Sequence, residues 1–199
     1  MSYAAAAGHS LETSTGVDNR KLLMWLFLGS ECLFFGSLIA AYLLYRDRST
    51  VGPYPEDVFD IPFTSVSAFI LLMSSVSMVL ALAAIQKGDR RGLNVWLFTT
   101  AILGVLFISG QAFEFTEFYR EGLTLETNLF GTTFFVLTGF HGAHVTVGVL
   151  ILLSIFATLL QGKITQEKSL YVELAGLYWH FVDIVWIVIF TLVYLIQPS

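Results

Sequence analysis

Eight ionisable side chains interrupt long apolar runs in this sequence: Glu31, Glu114, Glu117, His141, His144, Glu173, His180 and Asp183. Three chemistries fit such residues. Histidines and carboxylates together are the donors of a metal or haem site, and "HGAH" (141–144) has the i, i+3 spacing that permits ligation from one helix face. Carboxylates and histidines within a membrane also form proton relays. The third use is structural: buried polar side chains bond across helices and set their register. The spacing favours this last use. His180 and Asp183 stand one helical turn apart in "YWHFVDIVW" (178–186), and a mutual or cross-helix hydrogen bond is the simplest employment of such a pair. Glu31 differs. It lies alone in "LGSECLFFG" (28–36), with no charged neighbour within a turn, and reads as a buried, protonatable carboxylate.

The elements that carry these residues follow from composition. Of 199 residues, 56% are hydrophobic and 13% charged. Soluble domains hold about 45–50% apolar and about 25% charged residues. A soluble domain of this size could not bury so much apolar surface, so the fold class is an all-α integral membrane bundle. Five runs reach the roughly 20 residues that a crossing requires. They cover about 22–45, 63–86, 94–118, 129–160 and 171–196, and form one domain over 22–196. Residues 1–21 read as a flexible N-terminal segment. The connections are polar: "RDRSTVGPYPEDVFDIP" (46–62), the basic turn "KGDRRG" (87–92), "YREGLTLETN" (119–128) and "QGKITQEKS" (161–169). The first run follows Arg20 and Lys21 as a signal peptide's would, but it is too long for one and lacks a cleavage site, so it is retained. A single cysteine, Cys32, excludes an intramolecular disulfide and reads as a small packed hydrophobe. The net charge of −5 argues against a nucleic-acid partner.

Periodicity says where the polar residues point. Gly110, Glu114 and Glu117 fall on one stripe of the third span, and Glu173, Gly176, His180 and Asp183 on one stripe of the fifth. Each stripe contains a glycine that admits a close neighbour. Ser67, Ser74, Ser77, Ala81 and Ala84 line the second span in the same way. Counting about 1.5 Å per residue, Glu31, His141, His144, His180 and Asp183 share the central slab.

Basic residues set the orientation. Arg20, Lys21, Lys87, Arg90, Arg91, Lys163 and Lys168 fall on one side, against Arg46, Arg48 and Arg120 on the other. The larger group marks the cytoplasmic side, which places the N-terminus inside and the C-terminus outside. The outer loops carry Asp47, Glu56, Asp57, Asp60, Glu121 and Glu126, read as solvated charge. No internal repeat and no proline in mid-span support an independent proton-coupled transporter, the rival from another functional class.

Four stretches resemble subunit III of the haem-copper terminal oxidases, in its five-helix bacterial form. They are "SECLFFGSLIAAY" (30–42), "GQAFEF" (110–115), "GTTFFVLTGFHGAHV" (131–145) and "YWHFVDIVWI" (178–187). They occur in the family's order and cover about residues 22–196. The resemblance places Glu31 at the family's membrane carboxylate, one that reacts with hydrophobic carbodiimides. It assigns Gln111, Glu114, His141, His144, His180 and Asp183 to conserved family motifs, read here as a polar interhelical network. It implies no catalytic residue and no metal ligand on this chain, since haem and copper belong to subunits I and II. A phospholipid remains as a ligand. The implied function is that of an accessory subunit in the bacterial cytoplasmic membrane, supporting proton uptake indirectly. Subunit I is the main partner, with subunit II, small subunits and membrane lipids beside it. The "GQAFEF" form favours a cytochrome c oxidase over a quinol oxidase, and both over a nitric oxide reductase.

Overall fold

Each of the first four long helices begins where the sequence supplies an acceptor for its free N–H groups. In the computed structural model, which describes residues 16–49 and 52–196, α1 (Asn19–Tyr45) is capped by Asp18, whose carboxylate accepts from Arg20 N at 2.8 Å. A one-turn helix, α2 (Pro55–Val58), precedes α3 (Ile61–Gln86), which Asp60 caps through Phe63 N at 3.1 Å. Asp89 caps α4 (Arg90–Arg120) through Gly92 N at 3.0 Å. Asn128 caps α5 (Leu129–Leu160) through Gly131 N at 2.7 Å. The last span, α6 (Ser169–Ile189), starts from a 3-10 turn and continues as π-helix over Phe190–Leu195. Asx caps satisfy backbone donors that the helix itself leaves free. Hydrogen bonds from the Arg20 side chain, and then from its backbone, hold the Asp18 carboxyl below the usual range.

These caps correct the sequence-based boundaries. Helices α1, α3, α4 and α6 start before the apolar runs at 22, 63, 94 and 171. Hydropathy marks the hydrocarbon, whereas the helix runs on to its polar cap. Half of the expected basic turn "KGDRRG" is thus the first turn of α4. At the other ends, α3 closes on Gly88, at φ +74°. Gly88 N bonds Ile85 O at 3.1 Å and Asp89 N bonds Ala84 O at 2.9 Å, the paired bonds of a Schellman turn. The same pair of bonds closes α4 and α5. Residues 1–15 of the expected flexible segment lie outside the described residues.

Four helices close a ring: α3 packs on α4, α4 on α5, α5 on α6, and α6 back on α3. Helix α1 lies outside the ring along the α5/α6 seam. At the ring's centre Trp179 of α6, 1% exposed, reaches all three neighbours. Its indole N–H donates to Ser74 Oγ of α3 at 3.0 Å. Its six-membered ring fills the room left by Gly104 of α4 and Gly148 of α5, where an added Cβ would sit 2.5 and 2.9 Å from indole carbons. Water is not available to drive this contact inside a bilayer, so close approach and dispersion must supply the attraction. Ser74, Ser77, Ala81 and Ala84 are buried on α3, as the small-residue stripe predicted. Toward the C-terminal end of α6 the packing turns aromatic: Phe59, Phe118, Phe130, Phe134 and Tyr194 meet in tilted and edge-to-face contacts.

The outer surface is apolar, and all five long helices are long and apolar enough to cross a membrane. Leu33 is 78% exposed, Leu23 68% and Leu150 61%. Cys32 is exposed on α1, not packed inside as expected, because α1 buries only the face toward α5 and α6. Serines and threonines on these faces bond their own helix: Ser37 to Phe34 O at 2.7 Å, Thr99 to Val95 O at 2.8 Å, Thr146 to Gly142 O at 2.8 Å. At one end of the bundle, Lys21 pairs with Glu173 and Arg90 donates to Leu159 O at 3.0 Å. At the other, Arg46 reaches from the end of α1 to Leu192 O and Ile196 O, at 3.1 and 2.9 Å.

Gly104→Ala is expected to destabilise the protein by about 1–3 kcal/mol, the usual cost of overpacking. Gly36→Ala, with nothing within 4 Å of the new Cβ, is expected to be neutral. Thermal melting of the two variants in mild detergent checks the difference.

Candidate functional site

The singled-out polar residues form three separate pairings and one caged ring. The first pairing joins α1 to α5. Glu31 Oε2 lies 3.2 Å from His144 Nε2, so Glu31 is partnered across helices although alone in sequence. His144 Nδ1 lies 2.7 Å from Phe140 O. A carbonyl only accepts, so Nδ1 carries a hydrogen. Nε2 and Glu31 then hold one proton between them, as a carboxylic acid beside neutral imidazole or as a carboxylate beside imidazolium. Tyr178 of α6 donates to His144 O at 3.0 Å and fixes that turn. The pair lines an apolar groove of about 680 Å³ between α1, α5 and α6, walled by Met24, Phe27, Val147, Ile155 and Leu174. Its side chains are 17% and 20% exposed, which keeps the proton within reach of the groove.

The second pairing joins α4 to α5 and α3. Gln111 Nε2 donates to Thr138 O at 3.0 Å. Its carboxamide oxygen occupies the space over Gly142, where a Cβ would come within 2.6 Å. Three residues along α4, Glu114 Oε1 lies 2.5 Å from Thr64 Oγ1 of α3, with the Tyr194 hydroxyl close by. Glu117, on the same sequence stripe, instead pairs with Arg120 at 2.6 Å near the helix end.

The third pairing joins α6 to α3. His180 Nδ1 lies 2.6 Å from Ser75 Oγ, so His180 makes its expected cross-helix bond through a serine that the sequence reading passed over. Asp183 is buried one turn on, and its Oδ1 has no hydrogen-bond partner, so the expected bond is not made there. Glu173, at the start of the same stripe, pairs with Lys21 of α1.

His141 departs from the expected network. It is fully buried, and neither ring nitrogen has a hydrogen-bond partner. It stacks on Trp186 at 5.0 Å and 23°, with the edges of Phe107 and Phe35 at 5.9 and 6.4 Å. The reason is helical geometry. Residues i and i+3 differ by about 60° around the axis. His144 thus faces α1 while His141 faces the ring interior, where aromatic side chains leave no polar partner. Sequence reasoning also missed Thr64, Ser75, Tyr178 and Tyr194. A single serine, threonine or tyrosine in an apolar run carries no charge signal, and Ser75 lies one residue off the small-residue stripe.

The three histidines consequently face three different surroundings. Among the described residues no group of three His, Cys, Asp or Glu side chains stands close enough to hold a metal ion. The family model for cytochrome c oxidase subunit III matches residues 4–197. The chain belongs to that family. Cytochrome c oxidase subunit 3 of Synechocystis sp. is 43% identical over 182 residues, 90% of this chain and 76% of the relative. Its counterpart from Thermostichus vulcanus is 39% identical over 180 residues, covering 90% and 88%. Quinol oxidase subunit 3 of Bacillus spizizenii is 36% identical over 171 residues, covering 86% and 84%. The matched region holds both the Glu31–His144 and the Ser75–His180 pairs.

Glu31→Gln is expected to assemble nearly as the parent does, because a carboxamide N–H can donate to His144 Nε2. Glu31→Leu strands that nitrogen beside the groove, and about 1–3 kcal/mol of stability should be lost. Recovery of folded chain from membranes, together with melting temperature, separates the two. The parent should also label at Glu31 with a hydrophobic carbodiimide, and peptide mapping would reveal it.

Proposed function

We propose that this chain is a non-redox accessory subunit III of a proton-pumping haem-copper oxidase, with cytochrome c as electron donor, in the bacterial cytoplasmic membrane. Family membership over nearly the whole chain carries the reading. The geometry supports the accessory role. The Glu31–His144, Gln111–Thr138, Glu114–Thr64 and His180–Ser75 pairings each tie one helix to another. Haem and copper are then carried by partner subunits, with subunit I the main contact and subunit II and small subunits further ones. Holding subunit I in its working form and supporting its proton uptake indirectly are the roles assigned.

The basic end of the bundle supports a cytoplasmic N-terminus. Arg20, Lys21, Arg90, Arg91, Lys163 and Lys168 gather there, and Gln166 donates to Gln86 O at 2.6 Å to hold two of the loops together. The apolar groove beside Glu31 supports a phospholipid acyl chain as ligand. The 36% identical quinol oxidase relative favours a second reading, in which a quinol donates the electrons.

Purification through a C-terminal tag in mild detergent tests the function. Co-purifying polytopic chains with haem bands in a reduced-minus-oxidised spectrum are expected, with oxidation of cytochrome c faster than that of a quinol. A colourless chain purified alone would overturn the oxidase assignment. Within the assembled enzyme, Asp183→Asn is expected to lower the melting temperature while leaving oxygen reduction per haem unchanged. Normal assembly with lost oxygen reduction would contradict the structural role.

A further inference from the structure

His180 uses one ring nitrogen inside the chain and presents the other outward. Nδ1 meets Ser75 across the α3/α6 seam at 2.6 Å. Asp183, one turn further along α6, is buried. Nε2 has no partner among the described residues, and His180 is only half-buried. It stands on the outer stripe of α6 that Leu177, Ile184 and Ile187 continue at i, i+3, i+7 and i+10 spacing. Across the seam, Leu72 and Val79 flank Ser75 on α3. Val79 is 53% exposed and Ile184 59%. A lone polar atom is thus set in an apolar surface.

Its depth decides what can meet it. His180 lies roughly 17 Å along α6 at about 1.5 Å per residue, near the middle of a hydrocarbon core about 30 Å thick. Lipid headgroups do not reach there, and acyl chains neither donate nor accept. Several outward hydroxyls are already spent. The hydroxyls of Ser30, Ser37, Thr99, Ser109, Thr146 and Ser154 bond their own helices, and Glu31 and His144 satisfy each other.

The Ser75–His180 bond also fixes how Nε2 behaves. Ser75 has one hydroxyl proton to give. When His180 Nδ1–H donates to Ser75, Nε2 is an acceptor. When Ser75 donates to Nδ1, Nε2–H is a donor. Either way the outward nitrogen holds one directed hydrogen-bonding position.

We propose that the α3/α6 seam is the face on which this chain meets another subunit of its oxidase. A Ser, Thr, Asn, Gln or Tyr side chain on a transmembrane helix of that subunit bonds His180 Nε2, and apolar side chains around it cover Leu72, Val79 and Ile184. This rests on the proposed function, since it requires an oxidase complex to which the chain belongs.

Site-specific photo-crosslinking tests it in the whole complex. Benzoylphenylalanine is placed at Val79 or Ile184 on the seam, and at Val105 of α4 or Leu150 of α5 as exposed positions on other faces. Membranes are irradiated, the tagged chain is purified, and adducts are identified by mass spectrometry. Protein adducts from the seam positions, several-fold above those from Val105 and Leu150, are expected. Adducts to protein from Val105 or Leu150 alone, or only lipid adducts from the seam, would overturn the proposal. A pair of variants adds a second readout. His180→Phe removes both ring contacts, and Ser75→Ala removes only the inner one. The former should lower recovered partner roughly three- to tenfold, the scale of one interhelical bond in a bilayer, and the latter should retain it. Equal losses would assign His180 a purely internal role and sink the interface. A haem spectrum on the unsubstituted sample separates the failures. A haem-bearing partner with adducts mapping elsewhere defeats this inference alone, whereas a chain without haem partner defeats the oxidase assignment with it.

Discussion

The contact on which the bundle depends is the seating of Trp179 against two glycines. A bilayer removes the usual reason for apolar surfaces to come together, because lipid tails suit them as well as a neighbouring helix does. What remains is fit. Trp179 is large, rigid and central, and Gly104 and Gly148 let α4 and α5 close around it. The indole N–H is satisfied by Ser74, so the ring is fixed in rotation as well as position. One side chain of α6 thus sets the spacing of the other three helices in the ring. The rest of the core is arranged above and below it, with His141, Phe107 and Trp186 in one layer and the Phe–Tyr cluster in another.

Four polar pairings are placed around this apolar centre, and each joins helices. Glu31 with His144 pins the outlying α1 to the ring. Thr64 with Glu114, and Gln111 with the Thr138 carbonyl, hold α3, α4 and α5 in register. Ser75 with His180 does the same for α3 and α6. A bond of this kind costs little to make in hydrocarbon and much to leave unmade, so mismatched registers are excluded more strongly than the native one is favoured.

Much of this was legible beforehand, and the limits have physical causes. Five spans follow from the length of the apolar runs, and the family from four ordered motifs that include Glu31, Gln111, His144 and His180. Charged residues announce themselves because charge in an apolar run is conspicuous. Their partners do not. Ser75, Thr64 and Tyr194 are ordinary residues in membrane helices, and only the packing of α3 on α6 and α4 selects them. Helix ends were misplaced by the same logic, since hydropathy reports the solvent boundary whereas an aspartate cap reports the hydrogen-bond boundary. His141 shows the reverse error. A histidine beside another histidine reads as polar machinery, yet it serves here as a flat ring in an aromatic stack.

The Arg46 clamp bears on how the chain is made. Its guanidinium, at the end of α1, takes the carbonyls of Leu192 and Ile196 at the close of α6. A cation from one helix thus serves as a cap on another that is distant in sequence. All the helices from α1 to α6 must therefore enter the membrane before this clamp can form. Until α6 arrives, α1 has neither its clamp nor the seam on which it lies. Closure of the bundle thus waits for α6, and the clamp certifies that the helices between have been inserted.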